Sequence, residues 1–206
     1  MGGRVWGVVA RVALVCAAWA AVVAVEVGGV WVARVVMASE AGLVRGAAYL
    51  TAAIVTAMVV AGEWAPRRPK RTVAGLAVAA VVAAAVVAVD WTAASVRGYY
   101  RVHRADFAAV VAVAAGGGLI PDSYYGELLP PELRHLSIKG SVARIGGSGL
   151  LLPARTTTPD GVGGFAFLGD APPAGTYDCY GSQFRTRWSL GDGWYWLQDT
   201  MIPSTT

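Results

Sequence analysis

The nine residues Glu63-Trp64-Ala65-Pro66-Arg67-Arg68-Pro69-Lys70-Arg71 constrain this chain more than any other stretch. They carry four basic groups, the one dense cluster of like charge, and they lie between two long apolar runs. Lys and Arg in a short loop resist translocation, so this loop marks the cytoplasmic side and orients the rest. A helix needs about 20 mostly apolar residues to cross a bilayer. Stretches at about 8–32, 43–62 and 72–90 meet that length and predict three spans.

The totals agree. Residues of hydrophobic type make up 56% of the 206 and charged residues 15%, against about 25% charged in an ordinary soluble domain. The net charge of +4 divides unevenly: residues 1–120 carry eleven basic and five acidic groups, residues 121–206 six and eight. The basic excess sits beside the apolar runs, where it anchors helices, and this argues against nucleic acid as a partner. Arg4 followed by an apolar run resembles a signal peptide. The run continues past any plausible cleavage point, so it is read as an uncleaved span. Trp6 and Trp64 fall at the expected inner interface, Trp31 and Trp91 at the outer one. Alanines such as Ala47, Ala52, Ala53, Ala77 and Ala83–Ala85 allow close helix approach in lipid.

With the loop inside, the third span emerges at Asp90-Trp91. Phe107–Ile120 is apolar too, but at fourteen residues it is short for a crossing and ends in Gly116-Gly117-Gly118. Val96, Tyr99, Tyr100, His103, Phe107, Val110, Val111 and Ala114 recur at helical spacing, with Arg97, Arg101 and Arg104 on another face. That pattern predicts one amphipathic stalk helix over 92–115, packed on a domain or lying on a surface. The arginine stripe is a candidate contact for anionic lipid headgroups.

Residues 116–206 read as a small α+β domain with an antiparallel sheet. Pro131 can start a helical turn, and strand texture follows over Leu136–Ile145, Gly149–Pro153 and Gly164–Leu168. Thr186–Leu190, Gly191-Asp192-Gly193 and Trp194–Gln198 form an aromatic-rich hairpin. Trp188, Trp194 and Trp196 have two readings: an exposed aromatic surface for a ligand, or the core of a domain poor in aliphatics.

The order Leu129-Pro-Pro-Glu-Leu-Arg-His-Leu-Ser137, a β region, then Trp194-Tyr-Trp196, resembles uncharacterised membrane-anchored proteins of Gram-positive, high-GC bacteria. The Arg-over-Lys and Ala/Val/Gly bias is of the same kind. The resemblance covers the C-terminal third and implies a surface-exposed α+β domain outside the cytoplasm, without activity or site.

Recognisable catalytic patterns are missing. There is no Gly-x-Ser-x-Gly elbow, no phosphate-cradling loop, and Gly161-Val-Gly-Gly164 precedes a strand rather than a helix. His103 and His135 have no Cys nearby, so no zinc pattern is legible. The aspartates, Asp192 included, read as turn and solubility groups, and Cys16 and Cys179 as two buried thiols. No cofactor, metal or catalytic residue is expected. Glu26, Arg45 and Asp90 are the candidate functional charges at membrane depth. The expectation is a non-enzymatic multi-pass protein of the cell membrane, with its N-terminus inside. It presents its C-terminal domain outside to a membrane or envelope partner. The alternative is a transporter or sensor subunit that uses Glu26.

Overall fold

Apolar periodicity and small residues build the N-terminal helices. The computed structural model describes residues 2–30, 38–62, 69–122, 126–138, 140–146, 148–155, 163–169, 175–179 and 181–200. Arg67 and Arg68 therefore lie outside the described residues, as do Trp31, Trp64, the turn at Asp160-Gly161 and the tail from Met201. Contacts divide the chain into two units, Met1–Gly29 with Glu40–Thr92 and Val30–Ser39 with Ala93–Thr206.

The first unit holds α1 (Gly2–Val27), α2 (Ala38–Gly62) and α3 (Pro69–Ala88). They meet at Val22, Ala52 and Val86, with Trp19, Ala48 and Trp91 alongside. The fully buried Ala52 shows why a small side chain stands there. Trp19 Nε1 donates to Thr56 Oγ1 at 3.2 Å, tying α1 to α2. Trp91 Nε1 donates to the Val86 carbonyl at 2.6 Å, satisfying one of the carbonyls that the end of α3 leaves without a helical partner. Among the described residues, Leu43–Val60 in α2 is the one helix long and apolar enough to cross a membrane; Ala13–Val27 in α1 is a shorter apolar helix.

The second unit takes in α4 (Trp91–Val102) from Ala93 onward and α5 (Arg104–Ala115). The single stalk helix expected over 92–115 is thus two helices, and of its two expected placements the structure shows packing on the C-terminal domain. His103, with φ −103° and ψ 20°, makes the break. The bonds His103 N to Tyr99 O and Phe107 N to His103 O persist across it, so one apolar face carries through.

That face covers an eight-stranded antiparallel sheet in the order β1-β2-β3-β4-β5-β8-β7-β6. The strands are β1 Ile120–Asp122, β2 Gly126–Leu128, β3 Ser141–Ile145, β4 Gly149–Arg155, β5 Gly163–Phe167, β6 Thr176–Cys179, β7 Ser182–Gly191 and β8 Trp194–Asp199. A 3-10 turn, Pro131–Leu136, starts at the expected proline. Sequence texture misses β1, β2 and β6, which are only three or four residues long. Period-two alternation splits the side chains between two faces. Val142, Leu150, Leu152, Phe165, Trp194 and Trp196 point toward the helices. Ala143, Ile145, Leu151, Ala166, Phe184 and Leu197 form a second core, and β6 curls back to pack beside β3.

Phe107 sits at the centre of the helix-facing core with no exposed surface. Its ring lies 4.8 Å from Trp194, 4.9 Å from Phe165 and 5.2 Å from Tyr100, tilted or edge-on in each case. Trp194 and Trp196 are 2% and 3% exposed. The aromatic-surface reading is therefore corrected: both indoles are core, and Trp188 is a partly buried neighbour of the same cluster. A domain with few aliphatics fills its interior with rings. Gly164, the second residue of β5, has to be a glycine, because a Cβ there would stand 2.5 Å from the Leu152 carbonyl oxygen. Replacing Phe107 by Ala is expected to cost about 3–5 kcal/mol. Near-ultraviolet circular dichroism should show the second unit losing its aromatic signal at clearly lower urea than wild type.

Candidate functional site

Three polar arrangements stand out among the described residues. The first uses both histidines. His103 lies at the α4–α5 break with its ring 4.5 Å from that of Tyr99, a buried neighbour one turn earlier. Asp106 follows at i+3, on the same helical side, and its Oδ2 is 3.1 Å from His103 Nδ1. The 3-10 turn brings His135 to the same oxygen, with Nε2 at 3.1 Å. The two imidazole centroids are 4.9 Å apart.

Each partner is held from behind. His135 Nδ1 donates to the Glu132 carbonyl at 2.8 Å, and the His135 carbonyl accepts from Tyr99 OH at 2.9 Å. One donor atom from each of His103, Asp106 and His135 lies within 4.8 Å of the others, so these three can hold a metal ion. Hydrogen bonds, first from His103 and then from His135, hold the Asp106 carboxyl below its usual range, partly opposed by desolvation. Sequence reading missed this group. Asp106 sits three residues from His103, a legible spacing, but the 32 residues to His135 carry no pattern.

The second arrangement centres on Asp192. The β7–β8 turn has two residues, not three, since Gly191 pairs with Trp194. Asp192 (φ 52°) and Gly193 (φ 75°) are both left-handed, as a tight type I′ hairpin turn requires. This orients the carboxylate back onto the helices. Arg104 clamps it with Nε at 2.6 Å and Nη2 at 2.8 Å, and Tyr100 OH donates to it at 2.9 Å. The expectation that Asp192 is a mere turn and solubility group is corrected accordingly. Arg97, Arg101 and Arg104 are all exposed. Arg104 is neutralised by this pair, whereas neither Arg97 nor Arg101 makes an ion pair among the described residues. An open groove of about 770 Å³ runs beside them, lined by Tyr100, Arg101, Arg104, Phe167, Asp192 and Trp194.

The third lies among the N-terminal helices. Glu26 of α1 is 7% exposed and its Oε2 is 3.5 Å from Arg45 Nε of α2. The two candidate charges thus meet and compensate one another, while Asp90 stands exposed between α3 and α4. Cys179 is buried in β6, which pushes its thiol up to about 11. Cys16 is exposed on α1, against the expectation of two buried thiols. Comparison with known protein families, with curated proteins and with solved structures returns no match.

The Asp192 cluster makes stability pH-dependent at both ends. Burial, then the bond to Asp192, pushes the Tyr100 hydroxyl up to about 12. The folded state holds that proton more tightly, so its stabilisation is full below about 10 and lost as pH rises through about 12. Arg104 and then Tyr100 hold the Asp192 carboxyl low. Its contribution is present above about 3.9 and fades as pH falls through the lowered folded value. Urea midpoints measured across pH should fall at both extremes in wild type. Tyr100→Phe should flatten the alkaline limb and Asp192→Asn the acid limb.

Proposed function

We propose that this chain is an integral membrane protein of three spans that presents its C-terminal α+β unit on the extracytoplasmic side. There the unit would engage a membrane or envelope partner. The observation that carries the reading is apolar surface left uncovered by the protein itself. Leu43, Leu50 and Met58 of α2 are 60–72% exposed, and Val81 and Val87 of α3 are 69% and 73% exposed. Helices hydrophobic all round belong in a buried or lipid environment. The basic loop between α2 and α3 supplies the orientation.

The first unit supports a scaffolding role in preference to transport through Glu26. Its carboxylate is already opposed by Arg45, and Tyr49 contributes a hydrogen bond to it. Such a compensated pair ties two helices together inside an apolar bundle. The second unit packs a core on each face of its sheet, consistent with a domain that a partner can approach. The resemblance of its Leu129–Ser137 stretch and Trp194-Tyr-Trp196 segment to membrane-anchored bacterial proteins points the same way.

Reporter fusions test the layout. A fusion after residue 68 should be active only with a cytoplasmic reporter, and one at residue 206 only with an extracytoplasmic reporter. Protease added to intact cells lacking an outer barrier should cut the C-terminal unit. A tail protected until lysis would invert the topology and remove the proposal. Glu26→Gln should retain whatever phenotype distinguishes wild type from a deletion strain; its loss would restore the transporter reading.

A further inference from the structure

We propose that His103, Asp106 and His135 form a binding site for a divalent transition-metal ion, with Zn²⁺ the ion that suits the donors best. The inference concerns the second unit alone and is independent of which side of a membrane that unit occupies. Two imidazoles and one carboxylate are a borderline donor set, suited to zinc and its neighbours and not to Mg²⁺ or Ca²⁺, which take oxygen ligands. A tetrahedral zinc ion with bonds of about 2.0–2.1 Å keeps its ligand atoms about 3.3 Å apart. Two of the three edges here are already 3.1 Å, and all three donor atoms lie within 4.8 Å.

The hydrogen bonding around His135 fixes which of its nitrogens would ligate. The Glu132 carbonyl can only accept, so His135 Nδ1 must carry the hydrogen of that 2.8 Å bond. In the neutral ring Nε2 then presents a lone pair, and it faces the Asp106 Oδ2, another lone-pair donor, at 3.1 Å. That approach calls for a positive centre at Nε2, either a second proton, with which the ring donates to Asp106, or a metal ion held between the two atoms. A ligating histidine whose other nitrogen donates to a backbone carbonyl is the usual outer support of a metal site. Tyr99 extends the support: its ring stacks on His103 and its hydroxyl holds the His135 carbonyl. The site faces outward, with His135 41% and Asp106 40% exposed, so a fourth position is open to water or to a group from a partner.

The test uses the full-length, tag-free chain in detergent, stripped with a chelator and titrated with Co²⁺ and then Zn²⁺ near pH 7.5. One Co²⁺ per chain with visible d–d absorption, displaced by Zn²⁺ and not by Mg²⁺ or Ca²⁺, is the expected result. Asp106→Asn and His135→Ala replace half-exposed side chains and should keep the fold, checked by circular dichroism. Each should weaken Zn²⁺ binding by at least about tenfold, the lower bound for losing even an outer-sphere partner. Absence of saturable Co²⁺ or Zn²⁺ binding to the wild type would overturn the proposal. So would binding that persists unchanged in both folded variants, or displacement of Co²⁺ by Mg²⁺.

Discussion

The second unit depends on burying the shared apolar face of α4 and α5 against one face of the sheet. Phe107 of α5 is the centre of that contact, surrounded by rings from α4, β5 and β8. Burying aromatic side chains removes a large apolar area each, and edge-on geometry adds to it. Once Phe107 is seated, rotation of the helices about their axes is settled. Residues one turn away on either side of it are carried to definite places on the domain surface.

Two polar clusters follow from that placement. On the Tyr100 side, Arg104 reaches the β7–β8 turn and grips Asp192. On the Tyr99 side, His103 and Asp106 reach the 3-10 turn and meet His135. Both clusters are largely solvent-exposed, so their ion pairs contribute geometry more than stability. Each links the helices to a connection of the sheet by a carboxylate. Only the second combines that link with two nitrogen donors, which gives it a chemistry beyond docking. The first unit works differently: small residues bring its helices together, and one compensated pair, Glu26 with Arg45, lies among apolar contacts.

Much of the architecture was legible because it rests on local repetition. The apolar face from Val96 to Ala114 followed helical spacing, and its members are the residues now buried or half-buried. Pro131 and the glycines of the β7–β8 turn marked connections through backbone preference. The break at His103 was not legible, since neither proline nor glycine marks it and the apolar face runs through it. The tryptophans were ambiguous for another reason. Period two on β8 says that Trp194 and Trp196 share a face, but not whether anything covers it; the helices cover it. Asp192 read as an ordinary turn residue because a type I′ turn accounts for it fully without reference to Arg104.

The sequence by itself determined that Leu43–Val60 is apolar for the length of a membrane, which loop carries the positive charge, and which face of the Val96–Ala114 stretch turns inward. Those properties depend on residues a few positions apart, through helix pitch, strand alternation and the cost of charge in hydrocarbon. Tertiary structure alone decided that Trp194 is interior, that Asp192 holds Arg104, and that His135 joins His103 across one oxygen of Asp106. These outcomes require distant segments to meet. Their meeting is set by the packing of rings around Phe107, which no local pattern encodes.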